Sequence, residues 1–195
     1  MMRQELRLSG SGGQGLILAG IILAEAALLD GKNVVQSQSY GPEARGGASK
    51  AEVIISDDVI NYPKVDKCDM LLSLTQTASD KYISSLKPGG ILILDSSITK
   101  HPDRDDIKIY SVPILETALN NLNKPMVANI VALGSIYELT KIVSKESLEK
   151  AVLNRVPQGT EELNKKALEE GFRLILEHKD ETYGEVCWFD KSYTK

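Results

Sequence analysis

Residues 6–29 read LRLSGSGGQGLILAGIILAEAALL, and this stretch decides the fold. The apolar residues Leu6 and Leu8 predict a strand, and the apolar run Leu16–Leu29 predicts a helix. The glycine-rich turn of residues 9–15 joins the two, which is the arrangement in which backbone N–H groups and a helix N-terminus bind an anion. The stretch therefore predicts an α/β fold that opens with a strand, a glycine turn and a helix.

Further short runs rich in isoleucine, leucine and valine predict strands at 33–36, 51–56, 70–75, 90–95 and 107–112. Their apolar character is continuous rather than alternating, as in strands that are covered on both faces. A helix is predicted at 77–86, and Lys87-Pro88-Gly89-Gly90 is expected to end it before the next strand. The pattern indicates a Rossmann-like, mostly parallel sheet with helices on both faces.

The chain changes character after Pro113. Helices are predicted at 114–121, 125–142, 144–154 and 160–177, followed by a polar, partly aromatic tail. We expect one domain over residues 1–179, with an α/β core at about 1–112 and a helical part at about 113–179, and a tail at 180–195. The tail either folds back on the core or docks on a partner.

Composition excludes several classes of protein. The chain has 195 residues and a net charge of −4 without a long basic run, which argues against nucleic-acid binding. Its two cysteines, Cys68 and Cys187, cannot supply the ligands of an iron–sulfur cluster or a structural zinc site, and we predict no metal site. The start of the chain lacks the apolar core of a signal peptide, and Leu16–Leu29 is too short to span a membrane. A cytoplasmic protein without a membrane segment is expected.

The helix Leu16–Leu29 is apolar nearly all round, since only Glu25 interrupts it. A helix of this kind is buried on more than one side. Either the C-terminal helices or another subunit should cover its outer face.

The glycine turn allows more than one interpretation. Gly10-x-Gly12-x-x-Gly15 fits the dinucleotide fingerprint, but the stretch Asn33–Tyr40 lacks the acidic residue that would bind a ribose. No Gly-Lys-Ser/Thr follows, which excludes a Walker A motif. The glycines either permit a tight turn and close packing, or form a nest for a phosphate-like anion to which Gln14 adds a hydrogen bond.

A second glycine cluster, YGPEARGG, occupies residues 40–47. Arg45 in it is suited to a bidentate phosphate or carboxylate contact, although a solvated or interface arginine fits equally well. Asp95, at the end of a predicted strand, either belongs to a site or caps the next segment of the chain. No catalytic motif is present, and we predict no catalytic residue in this chain. The candidate anion-binding residues are Gly10, Gly12, Gly13, Gln14, Gly15, Tyr40, Gly41, Arg45, Gly46, Gly47 and Asp95.

The two glycine clusters together resemble the gamma subunit of 2-oxoacid:ferredoxin oxidoreductases. The resemblance continues through Ile55-Ser56-Asp57, Lys87-Pro88-Gly89-Gly90 with Asp95, and Asn129 with Leu133-Gly134, up to about Gly171. The segment Asn61-Tyr62-Pro63-x-Val65 inclines it towards the 2-oxoglutarate type.

The resemblance implies a subunit of an enzyme that converts a 2-oxoacid and CoA to acyl-CoA and CO2 and passes electrons to ferredoxin. Thiamine diphosphate and [4Fe–4S] clusters are then expected on alpha, beta and delta partner subunits. The chain itself would hold no cofactor, would be inactive alone, and would lend surface to CoA or to other subunits. The alternatives are a free-standing nucleotide-binding oxidoreductase and a non-enzymatic ligand-binding module.

Overall fold

A computed structural model describes the backbone of residues 2–39 and 47–189, with side chains as far as His178. The strands are β1 (Arg3–Ser11), β2 (Asn33–Gln38), β3 (Ala48–Ser56), β4 (Cys68–Ser73), β5 (Leu86–Asp95) and β6 (Lys108–Val112). The α-helices are α1 (Leu16–Leu29), α2 (Gln76–Tyr82), α3 (Ile114–Glu116), α4 (Ala128–Thr140), α5 (Lys145–Arg155) and α6 (Glu161–Phe189). A 3₁₀ turn, Ile83–Ser85, follows α2, a π-helical turn, Thr117–Asn121, follows α3, and a 3₁₀ turn, Pro125–Val127, precedes α4.

The six described strands form one sheet in the order β2-β3-β1-β4-β5-β6. Strand β1 is parallel to β4, β4 to β5 and β5 to β6, whereas β3 runs antiparallel to both β1 and β2. All strands except β3 therefore point the same way, which confirms a mostly parallel α/β sheet. The difference from a Rossmann order is that β3 inserts between β1 and β2 and reverses direction.

Helices cover both faces of the sheet, as predicted. Alternate residues of β1, such as Leu6 and Leu8, face a core shared with α1, α4, α5 and α6. The other face packs on α2 through a smaller cluster that includes Leu71, Tyr82 and Leu92. The predicted helical C-terminal part thus forms one thick layer on a single side of the sheet.

That layer depends on a very close crossing of α4 and α6. A Cβ atom built on Gly171 would lie 2.1 Å from the Val131 carbonyl oxygen, and one on Gly134 would lie 2.3 Å from the Leu168 carbonyl oxygen. Ser135 Oγ donates to the Gly171 carbonyl oxygen at 3.2 Å across the same crossing. The backbones meet at this point because neither glycine carries a side chain.

Two carboxylates join α1 to α5. Asp30 accepts hydrogen bonds from Ser144 N, Ser144 Oγ and Ser147 Oγ at 2.5, 2.7 and 2.6 Å. Burial alone would raise the pKa of Asp30, but the hydrogen bonds from Ser147 and Ser144 outweigh it and hold the pKa below its ordinary value. The pKa of Glu25 is also lowered, first by the hydrogen bond from Asn154 at 2.8 Å and further by Arg155.

The C-terminal helices therefore cover most of α1, as one of the two alternatives for its apolar surface predicted. Residues such as Ile22, Leu23 and Ala26 are buried against the sheet and these helices. A strip at Ile17, Leu18 and Ile21 stays part-exposed, and Leu28 is 61% exposed. Among the described residues no helix is both long enough and apolar enough to cross a membrane.

Two predicted boundaries were wrong. The helix predicted at 77–86 ends at Tyr82, and Lys87-Pro88-Gly89-Gly90 lies inside β5, where the pairing with β4 shifts register between Cys68 and Met70. The last helix continues to Phe189, well past Glu177, so the first part of the predicted tail is helical.

Candidate functional site

The glycine turn lies between the carboxyl end of β1 and the start of α1, at one end of the parallel strands. Gly13 and Gly15 have φ angles of +86° and +72°, a left-handed conformation that residues with a side chain adopt only under strain. Gly12 and Gly13 are exposed. The turn thus presents backbone to solvent at the edge where α/β folds bind their ligands.

Gln14 closes this turn from within. Its Oε1 accepts a hydrogen bond from Ser11 N at 2.7 Å. The same oxygen occupies the space beside Gly10, where an added Cβ would approach it to 2.2 Å. A side chain at position 10 would therefore displace this oxygen from its bond to Ser11, and Gln14 has a structural bond that its sequence position did not predict. Its Nε2 has no hydrogen bond within the part of the chain that the structure describes and remains available as a donor.

Asn129 holds the end of the turn from a distant part of the chain. This buried side chain, in the first turn of α4, donates from Nδ2 to the Gly15 carbonyl oxygen at 3.2 Å. A Cβ on Gly15 would lie 2.7 Å from the same nitrogen. The sequence named Asn129 only through the family resemblance, because no local pattern relates residues 114 positions apart.

The N-terminus of α1 opens into a cavity of about 520 Å³. Its N-cap, Gly15, makes no side-chain capping bond, and the first turn of the helix carries no acidic residue. The first amides of a helix have no partner within the helix, and their dipoles favour an anion. The cavity is lined by Ser11, Gly12, Gly13, Gly15, Leu16, Ile17, Leu18, Ile21, Ser39 and Ser49.

The cavity wall includes residues that flank the second glycine cluster. Ser39 precedes it and Ser49 follows it, and the buried Ser39 Oγ has no hydrogen-bond partner among the described residues. Gly47 is a bend just before β3. The predicted candidates Tyr40, Gly41, Arg45 and Gly46 lie outside the described residues, so their part in the site stays a prediction.

Asp95 is not among the residues that line this cavity, and both of its carboxylate oxygens accept hydrogen bonds. One oxygen accepts from Ser97 N and Ser97 Oγ at 3.0 and 2.5 Å, and the other accepts from Leu115 N at 2.8 Å. The residue is 1% exposed. These contacts favour the capping alternative, in which Asp95 fixes the connection from β5 and the start of α3.

Sequence patterns missed a buried ion pair on the opposite face of the sheet. Arg7 on β1 and Glu52 on β3 face each other in register, with Arg7 Nε 2.8 Å from Glu52 Oε1. Arg7 also donates to the Val65 carbonyl oxygen at 2.6 Å, and its guanidinium lies 5.6 Å from the centre of the Tyr82 ring. The sequence signal for this pair was a single charged residue of opposite sign within each of two otherwise apolar predicted strands. The pair holds β3 against β1 rather than entering the cavity.

The cysteine whose side chain is described belongs to the same core. Cys68 is buried, and its Sγ lies 3.5 Å from the Ser85 carbonyl oxygen. Burial raises the pKa of this thiol, so the sulfur remains protonated at neutral pH. Among the described residues no group of three His, Cys, Asp or Glu side chains could hold a metal ion.

Comparisons with known proteins identify the family of this chain. Residues 5–174 match the family described as pyruvate ferredoxin/flavodoxin oxidoreductase. Subunit KorC of 2-oxoglutarate synthase from Methanocaldococcus jannaschii is 52% identical over 179 residues, covering 90% of this chain and 96% of that protein. Subunit VorA of ketoisovalerate oxidoreductase from Methanothermobacter thermautotrophicus is 34% identical over 148 residues, which are 75% of this chain but 31% of VorA.

Solved structures show the same relationship. The gamma subunit of keto/oxoacid ferredoxin oxidoreductase from Geobacter sulfurreducens superimposes with a TM-score of 0.80 at 55% identity, covering 89% of this chain and 98% of that chain. The 2-oxoglutarate:ferredoxin oxidoreductase from Magnetococcus marinus, solved with 2-oxoglutarate, coenzyme A and succinyl-CoA bound, shares the fold at 23% identity and a TM-score of 0.81. The match covers 89% of this chain but 31% of that longer chain. The chain therefore belongs to the pyruvate ferredoxin/flavodoxin oxidoreductase family, as a gamma subunit of a 2-oxoacid:ferredoxin oxidoreductase.

Proposed function

We propose that this gamma subunit serves a cytoplasmic 2-oxoglutarate:ferredoxin oxidoreductase and that its glycine turn binds a phosphate group of CoA. The observation that carries the proposal is the uncapped N-terminus of α1 at the 520 Å³ cavity, behind a turn that exposes Gly12 and Gly13. An anionic phosphate is the ligand that such a helix terminus favours. We also propose that Arg45, a candidate predicted from the sequence alone, adds a positive charge to the same site.

The choice of 2-oxoacid rests on relatives. KorC subunits of 2-oxoglutarate synthase from three further organisms are 46%, 46% and 40% identical to this chain, whereas the PorC subunit of pyruvate synthase from Methanothermobacter marburgensis is 34% identical. We propose 2-oxoglutarate as the substrate of the whole complex. The reacting centre then belongs to partner chains.

Those partners are proposed as the alpha, beta and delta subunits. Thiamine diphosphate, which stabilises the carbanion formed on decarboxylation, is placed on alpha and beta, and the [4Fe–4S] clusters that carry electrons to ferredoxin are placed on other chains of the complex. This chain's own residues would orient CoA: the backbone of Gly12–Gly15 and the first turn of α1 would hold a phosphate, and Gln14 Nε2 would donate to it.

An anaerobic pull-down with the tagged chain tests the assembly. We expect larger subunits, iron and thiamine diphosphate in the eluate, with CoA-dependent reduction of ferredoxin that is fastest with 2-oxoglutarate among a panel of 2-oxoacids. A chain recovered without partners or cofactors would contradict the proposal, and titration with NADH and NADPH would then test the free-standing alternative.

The anion site is tested by a size-matched pair, Gly12→Glu and Gly12→Gln. The two side chains have the same size, so the difference between them isolates the negative charge. A carboxylate beside a bound phosphate at the protein surface costs about 1 kcal/mol, so the KM for CoA should rise about fivefold more in Gly12→Glu than in Gly12→Gln. The excess should shrink at high salt. Equal KM values in the two variants would exclude a phosphate at this turn.

A further inference from the structure

An apolar groove lies beside the glycine turn and is not used by the proposed CoA site. Its volume is about 370 Å³, and its wall comes from five parts of the chain: α1, the turn before α4, α4 itself, the end of α5 and the start of α6. The apolar residues that form it include Leu18, Met126, Val127, Ile130, Val156 and Leu163. We call it the Met126 groove.

The folded chain leaves this surface open. Val127 and Ile130 are buried, yet Met126 next to them is 87% exposed at the rim. Leu18 is part-exposed on the strip of α1 that the C-terminal helices do not cover. A concave apolar patch of this kind on a folded domain is typical of an interaction site. A flexible methionine at the rim is typical of a surface that adapts to a partner.

The charges of the groove indicate the character of the partner. Lys124 is the one charged residue among those that line it, in a chain whose net charge is −4. Among the described residues no carboxylate forms an ion pair with Lys124, which is exposed at the rim. The complementary surface is therefore an apolar segment that carries an acidic residue at its edge.

The relatives indicate which chain supplies that segment. VorA and the Magnetococcus marinus enzyme chain are each about three times as long as the region that this chain matches, whereas KorC and the Geobacter sulfurreducens gamma subunit match over nearly their whole length. The same domain thus occurs both joined to a larger partner and as a separate subunit. In the separate form, a non-covalent contact has to replace the covalent link.

We propose that the Met126 groove is the docking surface for the large subunit that corresponds to the remaining two thirds of those longer chains. Leu18 lines both this groove and the cavity at the glycine turn. A segment seated in the groove would then form a wall beside the CoA site, so that assembly completes the site. This inference rests on the proposed function, because it requires the chain to work within such a complex.

The test uses the assembled complex, recovered through a tag on this chain. Met126→Glu places a charge in an apolar contact, and we expect at least a tenfold loss of the large subunit from the eluate, since a desolvated anchor commonly contributes more than 1.4 kcal/mol. Met126→Leu, which keeps the apolar side chain, should recover the large subunit as the wild type does. Val59→Glu is the matched control and should leave recovery of the large subunit unchanged. Val59 is 73% exposed and follows β3, at the end of the sheet away from the glycine turn and the groove. Thermal unfolding of the Met126→Glu chain should equal that of the wild type.

A photo-crosslinking residue at position 126 identifies the occupant directly, and we expect a crosslink to the large subunit. Full recovery of the large subunit by Met126→Glu would overturn the proposal. So would a crosslink only to a second copy of this chain, or a homodimer that Met126→Glu dissociates without loss of the large subunit. A wild-type chain that recovers no partner would instead refute the proposed function, so the two failures are distinguishable.

Discussion

Replacing Gly171 with alanine should separate helices α4 and α6. The added Cβ would lie 2.1 Å from the Val131 carbonyl oxygen, 2.8 Å from Gly134 Cα and 2.9 Å from Ser135 N. All three are backbone atoms of α4, so no side chain can rotate away. Ordinary contact begins at 3.4 Å, and the helices therefore have to move apart by about 1.3 Å at this point.

The cost follows from that displacement. Overpacking of a close contact typically costs about 1–3 kcal/mol, and a gap of about 0.5–1 Å forfeits a quarter to a half of the dispersion energy of the atoms beside it. The interface includes buried Val131 and Leu168 and the ring contact between Tyr137 and Phe172, whose centroids are 5.0 Å apart. We expect a gross cost of about 3–4 kcal/mol. Alanine recovers about 1 kcal/mol of helix propensity, which leaves a net loss of about 2–3 kcal/mol.

Urea unfolding of the purified chain, followed by circular dichroism, measures this loss. Lys166→Ala is the control, because Lys166 is exposed on the same helix and should change the free energy of unfolding by less than about 0.5 kcal/mol. The double variant Gly134→Ala/Gly171→Ala should lose about 1 kcal/mol less than the sum of the single losses, since one separation of the helices relieves both contacts. If Gly171→Ala left stability unchanged or raised it, helix propensity alone would govern this position and the close crossing would be refuted.

Two further predictions concern charged side chains that join elements of the fold. Because the pKa of Asp30 is lowered in the folded state, its stabilising contribution is present above pH about 4 and is lost as the pH falls through its folded pKa. Asp30→Asn should therefore cost about 1–2 kcal/mol at pH 7 and reduce the loss of stability that the wild type shows on acidification. An equal loss of stability on acidification in the variant and the wild type would contradict this role. Glu52→Gln should destabilise the chain by about 3 kcal/mol, because it leaves the Arg7 guanidinium buried without its counter-ion. Calorimetry should show that the double variant Arg7→Met/Glu52→Leu is more stable than Glu52→Gln, because it removes the buried charge as well. A double variant no more stable than Glu52→Gln would argue against an uncompensated charge as the cause.

The sequence predicted correctly those elements of the fold whose conformation is determined by residues close together in the chain. The strand, glycine turn and helix of residues 6–29 are specified by neighbouring residues: an apolar pair, glycines that permit a positive φ, and a continuous apolar run. Lys87-Pro88-Gly89-Gly90 shows the limit, because proline and glycine are common to turns and to irregular strands. There, close approach to the Asp69 carbonyl oxygen, 3.0 Å from a Cβ built on Gly90, fits a strand. Asp69 lies on a neighbouring strand, so the residues around Gly90 in the sequence do not predict this contact.

The reversal of β3 was unpredictable for a related reason. Strands β2 and β3 form an antiparallel pair in which Asn33 lies opposite Ser56 and Gln38 opposite Ala51. The connection between them is too long to carry the two-residue turn signal of a tight hairpin. Direction was fixed instead by long-range partners, among them Arg7 opposite Glu52.

Helix α1 shows how the fold compensates for a terminus that is left uncapped. Relative to the glycine that serves as its N-cap, a side-chain N-cap and an acidic first turn would each add about a few tenths of a kcal/mol, and α1 has neither. Both would place a hydrogen-bond acceptor or a negative charge where the proposed phosphate binds, so their omission keeps the amides available. The helix is held at its other end by Asp30 and Glu25, which bind α5, and along its length by apolar burial. Burial of α1 between the sheet and the C-terminal helices therefore stabilises the helix, and its binding end can contribute little to that stability.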